Sequence, residues 1–264
     1  MTTLETSKTH TFRGDAGEVS LAVKTAVAAG NSTNPGFVWL GGYRSDMSGT
    51  KAQTMVECAA HLGSDSVRFD YSGHGESAGE FADGCISDWV AQSIDIVRTY
   101  TTGSVVLVGS SMGGWISLRV VQELQKLGEQ DRLSGLLLIA PAPDFTEELM
   151  KPQFTPDQLI EMRDNGFISE PSEYSDEPNI ITQKLIEDGA RNLVFSDELN
   201  LNVPVRILQG MKDPDVPFKH ALRLVDHLIH DDVSITLVKG GDHRLSRDED
   251  IALLKRTMGE FILQ

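Results

Sequence analysis

Short apolar runs that end in glycine or aspartate alternate with longer stretches of helical period along most of this sequence. Such alternation predicts strand–helix–strand units, and therefore a mostly parallel α/β sheet flanked by helices on both faces. Several runs are apolar at every position, as in strands that helices cover on both sides. The predicted strands are Glu18–Ala22, Gly36–Leu40, Ser66–Phe69, Val105–Val108, Gly135–Ile139, Val205–Leu208 and Ser234–Val238.

The chain has 264 residues, close to the length at which one hydrophobic core stops growing. We therefore predict a single domain over residues 1–264. One segment interrupts the alternation, since residues 144–200 contain 14 acidic and 4 basic residues together with four prolines. We expect this segment to be a helical lid inserted over the sheet edge, with apolar residues that wall a pocket. A solvated acidic face is the alternative.

The charge balance restricts the partners. There are 39 Asp and Glu against 23 Lys and Arg, a formal net charge of −16, which disfavours nucleic acid and anionic membrane surfaces because both bind clustered cations. The apolar runs stop short of the roughly 18 to 20 residues that cross a bilayer.

The two cysteines and the first residues bear on the compartment. Cys58 and Cys85 lack a metal-binding or CxxC spacing and indicate a reducing compartment. With no recognisable targeting segment, we expect a cytoplasmic protein.

The sharpest chemical signal is Gly109-Ser-Ser-Met-Gly113, between an apolar strand and the helical stripe that opens at Met112. This order of strand, turn and helix is the context of a nucleophile elbow. Glycines flank the serine because a Cβ at either position would strike the neighbouring strand or helix. We expect Ser111 to be the nucleophile, held above the carboxyl edge of the sheet. Ser110 is the competing residue, but it lies one position off the centre of the motif.

A serine hydroxyl needs a base, and the base needs a third group that orients it. An acidic loop, Gly210–Pro217, follows one later strand, and within it we favour Asp213 over Asp215. His243 follows the next strand on a glycine-rich loop. The order of serine, acid and histidine, each at the end of a different strand, is that of an α/β-hydrolase. No HExxH motif or clustered ligand spacing occurs, so we expect no metal.

The sequence resembles the α/β-hydrolase family over nearly its full length. Gly210–Pro217 is similar to the family's GxxDxxVP acid loop, and Asp70–Ser77 to its DxRGxGxS turn. Three further stretches resemble the branch that contains an acyl-glucuronide esterase and palmitoyl-protein thioesterase. They are Pro35–Ala52, Arg68–Gly73 and Gly109–Trp115.

The resemblance also implies an oxyanion hole, built from the backbone N–H groups of Met112 and Tyr43. Many relatives have His-Gly where this chain has Gly41-Gly42, so a histidine that braces the loop is missing. Arg44, Lys212 and Arg244 lie beside the predicted site. One of them could recognise a substrate carboxylate; exposed side chains or structural ion pairs are the alternative. His74 could line the pocket mouth, whereas His220, His227 and His230 are expected at the surface.

We therefore predict a serine hydrolase that cleaves carboxylic esters or thioesters through an acyl-enzyme and needs no cofactor. The substrate is a small ester or thioester, with an acylated protein as a further candidate. An amidase or serine peptidase of the same fold is one alternative, since the three side chains do not set the leaving group. A non-catalytic scaffold that binds ligands or partners is another. The oligomeric state is left open.

Overall fold

The computed structural model describes residues 5–14, 17–28, 33–170, 179–230 and 232–263. Within these ranges the chain forms two sheets, one of eight strands and one of two. The strands are β1 (Glu5–Gly14), β2 (Gly17–Ala26), β3 (Gly36–Leu40), β4 (Ser66–Phe69), β5 (Val105–Ser110), β6 (Leu133–Ile139), β7 (Phe167–Glu170), β8 (Asn179–Thr182), β9 (Val205–Gly210) and β10 (Val233–Val238).

The large sheet has the strand order β1-β2-β4-β3-β5-β6-β9-β10. Its six strands from β4 to β10 run parallel, and the β1–β2 hairpin adds antiparallel to β4. Because the parallel strands all point the same way, the loops that follow them meet at one edge of the sheet. This carboxyl edge is where ligands bind in open α/β sheets.

Helices cover both faces of the large sheet. They are α1 (Thr50–His61), α2 (Ile86–Tyr100), α3 (Met112–Lys126), α4 (Pro156–Asn165), α5 (Gln183–Gly189), α6 (Phe218–His227) and α7 (Asp248–Glu260). Strand β5 shows the two-sided burial: Val105 and Leu107 pack in the core with α2, α3 and α6. Val106 and Val108 pack in the opposite core with α1 and α7. This architecture confirms the predicted α/β fold.

All seven predicted strands are present, two of them with the predicted bounds and the others longer. The prediction missed β1, whose sequence ETSKTHTFRG is polar and whose residues are mostly exposed. Pairing with the whole length of β2 holds this strand at the edge of the sheet. It also missed the short β7–β8 hairpin, because four-residue strands carry too little periodicity to be recognised.

Residues 144–200, hereafter the 144–200 segment, contain a single π-helical turn at Thr146–Met150, then α4, the β7–β8 hairpin and α5. Residues 171–178, with Pro171 and Pro178, lie outside the described residues. Asp144 ties the two ends of the segment together, since its carboxylate accepts hydrogen bonds from the backbone N–H groups of Val194 and Phe195 at 2.8 and 2.9 Å. The role of this segment as a lid stays a prediction.

Only some apolar side chains of the 144–200 segment face inwards. Ile168 and Met162 are buried in a small core with Ile181 and Ile186, and Leu149 and Met150 pack against the main core. In contrast, Leu159, Ile160 and Phe167 are exposed. The first turn of the segment therefore packs on the main core, whereas Leu159 and Ile160 of α4 face solvent.

Candidate active site

Ser111 lies in a sharp turn between β5 and α3, and its backbone has φ of 54° and ψ of −115°. A positive φ is uncommon for a residue other than glycine and is held here by the surrounding hydrogen bonds. The Ser111 N–H donates to the carbonyl of Ile139 at 2.9 Å, and its own carbonyl accepts from Gly114 and Ala142. The turn thus fixes Ser111 at the carboxyl edge of the sheet.

The flanking glycines are required by close backbone contacts. A Cβ on Gly113 would lie 2.6 Å from the carbonyl oxygen of Gly41 and closer still to that of Leu40. A Cβ on Gly109 would overlap the carbonyl oxygen of Gly113 and the hydroxyl of Ser117. Helix α3 therefore approaches β3 and β5 more closely than any side chain would permit, as the GxSxG pattern indicates.

His243 lies on the loop between β10 and α7 and connects Ser111 to Asp213. Its Nε2 atom is 3.1 Å from the Oγ atom of Ser111, and its Nδ1 atom is 2.8 Å from Oδ2 of Asp213. The histidine side chain is 24% exposed, whereas that of Asp213 is fully buried. The geometry suits a neutral imidazole that donates from Nδ1 and accepts from the serine hydroxyl.

The structure brings Asp213, and not Asp215, into contact with the histidine. The Oδ1 atom of Asp213 accepts from the backbone N–H groups of Asp215 and Val216 at 2.9 and 2.8 Å. Its Oδ2 atom accepts from His243 and from Nε2 of Gln209. Both carboxylate oxygens are therefore fixed by hydrogen bonds from groups other than the imidazole. Asp215 is exposed and shapes the loop through its backbone.

Asp213, Asp215 and His243 have ligand atoms within 4.8 Å of one another and could be read as a metal site. However, both oxygens of Asp213 already accept two hydrogen bonds each. The Nδ1 atom of His243 is oriented towards one of those oxygens, where it serves as a donor. This arrangement fits an orienting carboxylate better than a cation ligand.

Gln209 is a residue that the sequence analysis missed. It is fully buried at the end of β9, and its Nε2 donates to Oδ2 of Asp213 and to the carbonyls of Gly210 and Val216 at 3.1 to 3.2 Å. Gln209 therefore fixes the loop that carries Asp213. A polar residue directly after the apolar Ile207 and Leu208 was the available signal.

The loop Gly41–Arg44 lies directly over the serine. A Cβ on Gly42 would be 3.5 Å from the Cβ of Ser111 and 3.3 Å from the carbonyl oxygen of Ser110. Among the described residues, neither the Met112 N–H nor the Tyr43 N–H has a hydrogen-bond acceptor. Unpaired donors beside a serine hydroxyl are what an oxyanion hole requires. Both groups predicted from the sequence are therefore free to donate.

A cleft of about 340 Å³ opens beside Ser111 and His243 at the carboxyl edge of the sheet. Lys51, a second residue that the sequence analysis missed, lines this cleft and donates to the carbonyl of Arg244. Burial lowers the pKa of Lys51, and Asp242 opposes that shift. Another cleft, of about 380 Å³, lies at the edge where the parallel strands begin and contains none of Ser111, Asp213 and His243.

The cations singled out in the sequence have different positions. Arg244 lines the cleft, and the side chain of Lys212 is exposed. Arg44 reaches the 144–200 segment, where its Nη2 donates to the carbonyl of Ile180 at 3.1 Å.

Two of the histidines are buried: the alternative that His74 lines the pocket mouth is not realised, and the expected surface position of His220 is wrong. His74 is buried among Tyr71, Phe81 and Trp89 and does not line the cleft. Its burial lowers its pKa to about 4. His220 is also buried: it packs against Phe195, and its Nε2 lies 2.7 Å from the carbonyl of Pro143. Helical position alone did not reveal that α6 turns this histidine inwards.

Comparisons with known proteins show what this chain is similar to. A model of the Alpha/beta hydrolase family matches residues 35–253. The mitochondrial palmitoyl-protein thioesterase ABHD10 of Mus musculus is 34% identical over 231 residues, which are 86% of this chain and 75% of that protein. Its Homo sapiens counterpart is 32% identical over 230 residues, 87% of this chain and 73% of that protein.

Solved structures share the whole fold. A putative hydrolase from Agrobacterium vitis S4 superimposes with a TM-score of 0.93 at 47% identity, covering 98% of this chain and 99% of its own. Mouse alpha/beta hydrolase domain-containing protein 10 superimposes with a TM-score of 0.82 at 30% identity, covering 97% and 98%.

These relatives contradict the expected cytoplasmic location, because the ABHD10 proteins are named as mitochondrial. A targeting segment is read by the transport machinery and removed from the mature protein, so the composition of a folded domain does not determine its compartment. Within the described part of the chain, no helix is long and apolar enough to cross a bilayer.

Proposed function

Because this chain belongs to the alpha/beta hydrolase family, we propose that it is a serine hydrolase of carboxylic esters or thioesters. In this proposal Ser111 is the nucleophile, His243 the general base and acid, and Asp213 the group that orients the histidine. The observation that carries it is the continuous hydrogen-bonded chain from Ser111 Oγ through His243 to the buried carboxylate of Asp213.

The reaction proceeds in two halves. His243 Nε2 takes the hydroxyl proton as Ser111 Oγ attacks the carbonyl carbon, and the carbonyl oxygen becomes an anion that the Met112 and Tyr43 N–H groups stabilise. The imidazolium then gives the proton to the departing alcohol or thiol, which leaves an acyl-serine. A water molecule, deprotonated by His243, attacks this ester and releases the acid, and the proton returns to Ser111. Asp213 stabilises the imidazolium formed in each half.

We further propose a long-chain acyl thioester as substrate, on the basis of the printed activity of the ABHD10 relatives. The apolar residues beside the oxyanion loop support this choice. Phe145 and Phe81 contact the ring of Tyr43, and Leu149 and Met150 pack on the same core. A movement of the first turn of the 144–200 segment would open an apolar site for the acyl chain, which is the lid function expected from the sequence.

The test is a panel of esters and acyl thioesters of increasing chain length, hydrolysed by the wild type and by Ser111→Ala. We expect the variant to lose at least about 10⁴-fold in kcat and to keep its fold. The control is Ser110→Ala, one residue away, for which turnover persists. A fluorophosphonate probe is expected to label the wild type at Ser111. Normal turnover by Ser111→Ala would overturn the proposal.

The same experiment separates the alternatives. An amidase or peptidase would turn over amide analogues of the preferred acyl group at least as well as the esters. A non-catalytic scaffold would be folded and yet fail to react with the fluorophosphonate. The complete hydrogen-bonded chain at the cleft favours an enzyme over a scaffold.

A further inference from the structure

The loop that carries Tyr43 is attached to the 144–200 segment by its next residue, Arg44. The Arg44 Nη2 atom donates to the carbonyl of Ile180 in β8 at 3.1 Å. Its guanidinium carbon lies 4.4 Å from the ring centroid of Phe81, a cation–π distance. One side chain thus joins the loop over Ser111 to a strand 136 positions away in the sequence.

The side chain of Tyr43 points into the same junction. Its ring lies 5.0 Å from Phe81 and 5.6 Å from Phe145, edge to face in both cases. The hydroxyl is buried and has no hydrogen-bond partner among the described residues. Burial raises the pKa of this phenol, and the nearby positive charge of Arg44 opposes the shift.

Of the other loop residues, Gly41 and Gly42 have no side chain, and Tyr43 packs against Phe81 and Phe145. Arg44 has φ of 54°, a conformation that costs a residue with a Cβ about 1–2 kcal/mol. Such a conformation persists only where surrounding contacts hold it. The contacts in question are those of Arg44 with Phe81 and Ile180.

We propose that Arg44 is a positioning residue for the oxyanion hole: by binding Ile180 and Phe81 it sets the direction of the Tyr43 N–H. This inference rests on the proposed function, because it concerns a donor to the oxyanion of that reaction. It also makes the hole dependent on the 144–200 segment, since Ile180 belongs to that segment. Arg44 itself does not touch the reacting atoms.

The test compares Arg44→Ala, Arg44→Lys and the control Arg163→Ala. Arg163 is an exposed arginine in the 144–200 segment, and its ion pair is with the adjacent Asp164. We expect Arg44→Ala to lower kcat/KM about 10-fold, mostly through kcat, with partial recovery in Arg44→Lys, whose ammonium group can still donate to Ile180. We expect Arg163→Ala to match the wild type.

Two binding measurements distinguish positioning from a general loss of structure. A trifluoromethyl ketone adds to Ser111 and places its oxyanion in the hole, so its affinity should fall in Arg44→Ala by the same factor as kcat/KM. The affinity for unreacted substrate, measured with each variant combined with Ser111→Ala, should stay unchanged. Thermal unfolding shows whether each variant is folded.

Phe81→Leu provides a second route if Arg44→Ala does not fold, because it removes the ring beneath the guanidinium. It should show the same selective loss of trifluoromethyl ketone affinity. Wild-type kcat/KM in folded Arg44→Ala, or an equal loss of affinity for substrate and inhibitor, would overturn the inference. Both results are compatible with an inactive Ser111→Ala, so the inference can fail while the proposed function stands.

Discussion

The Nε2 atom of His243 lies 3.1 Å from the Oγ atom of Ser111, although 132 positions separate the two residues in the chain. The parallel sheet explains this proximity. Ser111 follows β5, Asp213 follows β9 and His243 follows β10, and the carboxyl ends of these strands lie at one edge. Each reactive side chain therefore needs only a short loop to reach the others.

Asp213→Asn should lower kcat by about 10⁴-fold, because an amide has no charge that stabilises the imidazolium. Two backbone N–H groups require an acceptor at the Oδ1 position, so the amide NH2 would face Nδ1 and favour the wrong tautomer of the imidazole. Asp215→Asn should stay within a few-fold of the wild type, since Asp215 is exposed and the hydrogen bond to Nδ1 of the histidine comes from Asp213. Steady-state hydrolysis of a single ester by the pair of variants gives the comparison. A larger loss in Asp215→Asn would show that the wrong acid has been chosen.

Gln209→Met should destabilise the protein by about 1–3 kcal/mol, because the buried carbonyls of Gly210 and Val216 lose a donor. The free energy of unfolding in urea measures this effect. Gln183→Met is the matched control, as Gln183 makes one exposed hydrogen bond to Glu187 within its own helix, and it should change stability by less than about 0.5 kcal/mol. Equal effects of the two substitutions would contradict a role for Gln209 in holding the loop.

The burial of His74 predicts a loss of stability in acid. Its pKa is about 4 in the folded protein against an ordinary value of 6.5, so between these values the unfolded chain binds a proton that the folded protein does not. Stability should be fully present above pH 6.5 and decrease by about 3 kcal/mol as the pH falls towards 4. Urea unfolding at several pH values measures this decrease.

His74→Phe should reduce the acid-dependent decrease, since phenylalanine does not titrate and keeps an aromatic ring among Tyr71, Phe81 and Trp89. His61→Gln, at an exposed position near the end of α1, should leave it as in the wild type. If His74→Phe had the same pH dependence as the wild type, the titrating group would lie elsewhere.

Gly113→Ala should destabilise the protein by about 2–3 kcal/mol, because the new methyl group overlaps the carbonyl oxygens of Leu40 and Gly41. Gly259→Ala, in α7, should stabilise it by up to about 1 kcal/mol, since a Cβ there has no neighbour within 4 Å and restricts the unfolded chain. Thermal unfolding of the two variants checks the opposite signs. A neutral Gly113→Ala would contradict the close approach of α3 to β3.

Much of the fold and of the candidate site was predictable, because the signals for Ser111, Asp213 and His243 are local. Each follows an apolar run and lies in a glycine-containing loop, so the end of a strand can be read from nearby residues. The distance from Gly210 within the same loop was the reason for choosing Asp213 over Asp215 as the acid. Strand β1 lacked such a signal, as its burial depends on pairing with β2 rather than on its own composition.

Contacts between distant segments other than those of Ser111, Asp213 and His243 could not be predicted. Lys51 meets Arg244, and Arg44 meets Ile180, across 193 and 136 positions of sequence. No periodicity or spacing joins such pairs, since the path of the intervening chain determines them. The buried positions of His74 and His220 depend in the same way on neighbours from other elements.

In the proposed mechanism, the placement of His243 after β10 makes activity more sensitive to local opening of the sheet than the global fold is. In the described part of the chain β10 is one of the two edge strands of the large sheet and pairs on one side with β9, whereas Ser111 follows β5, which has neighbours on both sides. Local opening of a sheet begins at its edge strands. Gentle heating would therefore uncouple the imidazole before the core melts, and activity would return on cooling because the serine turn had never been lost.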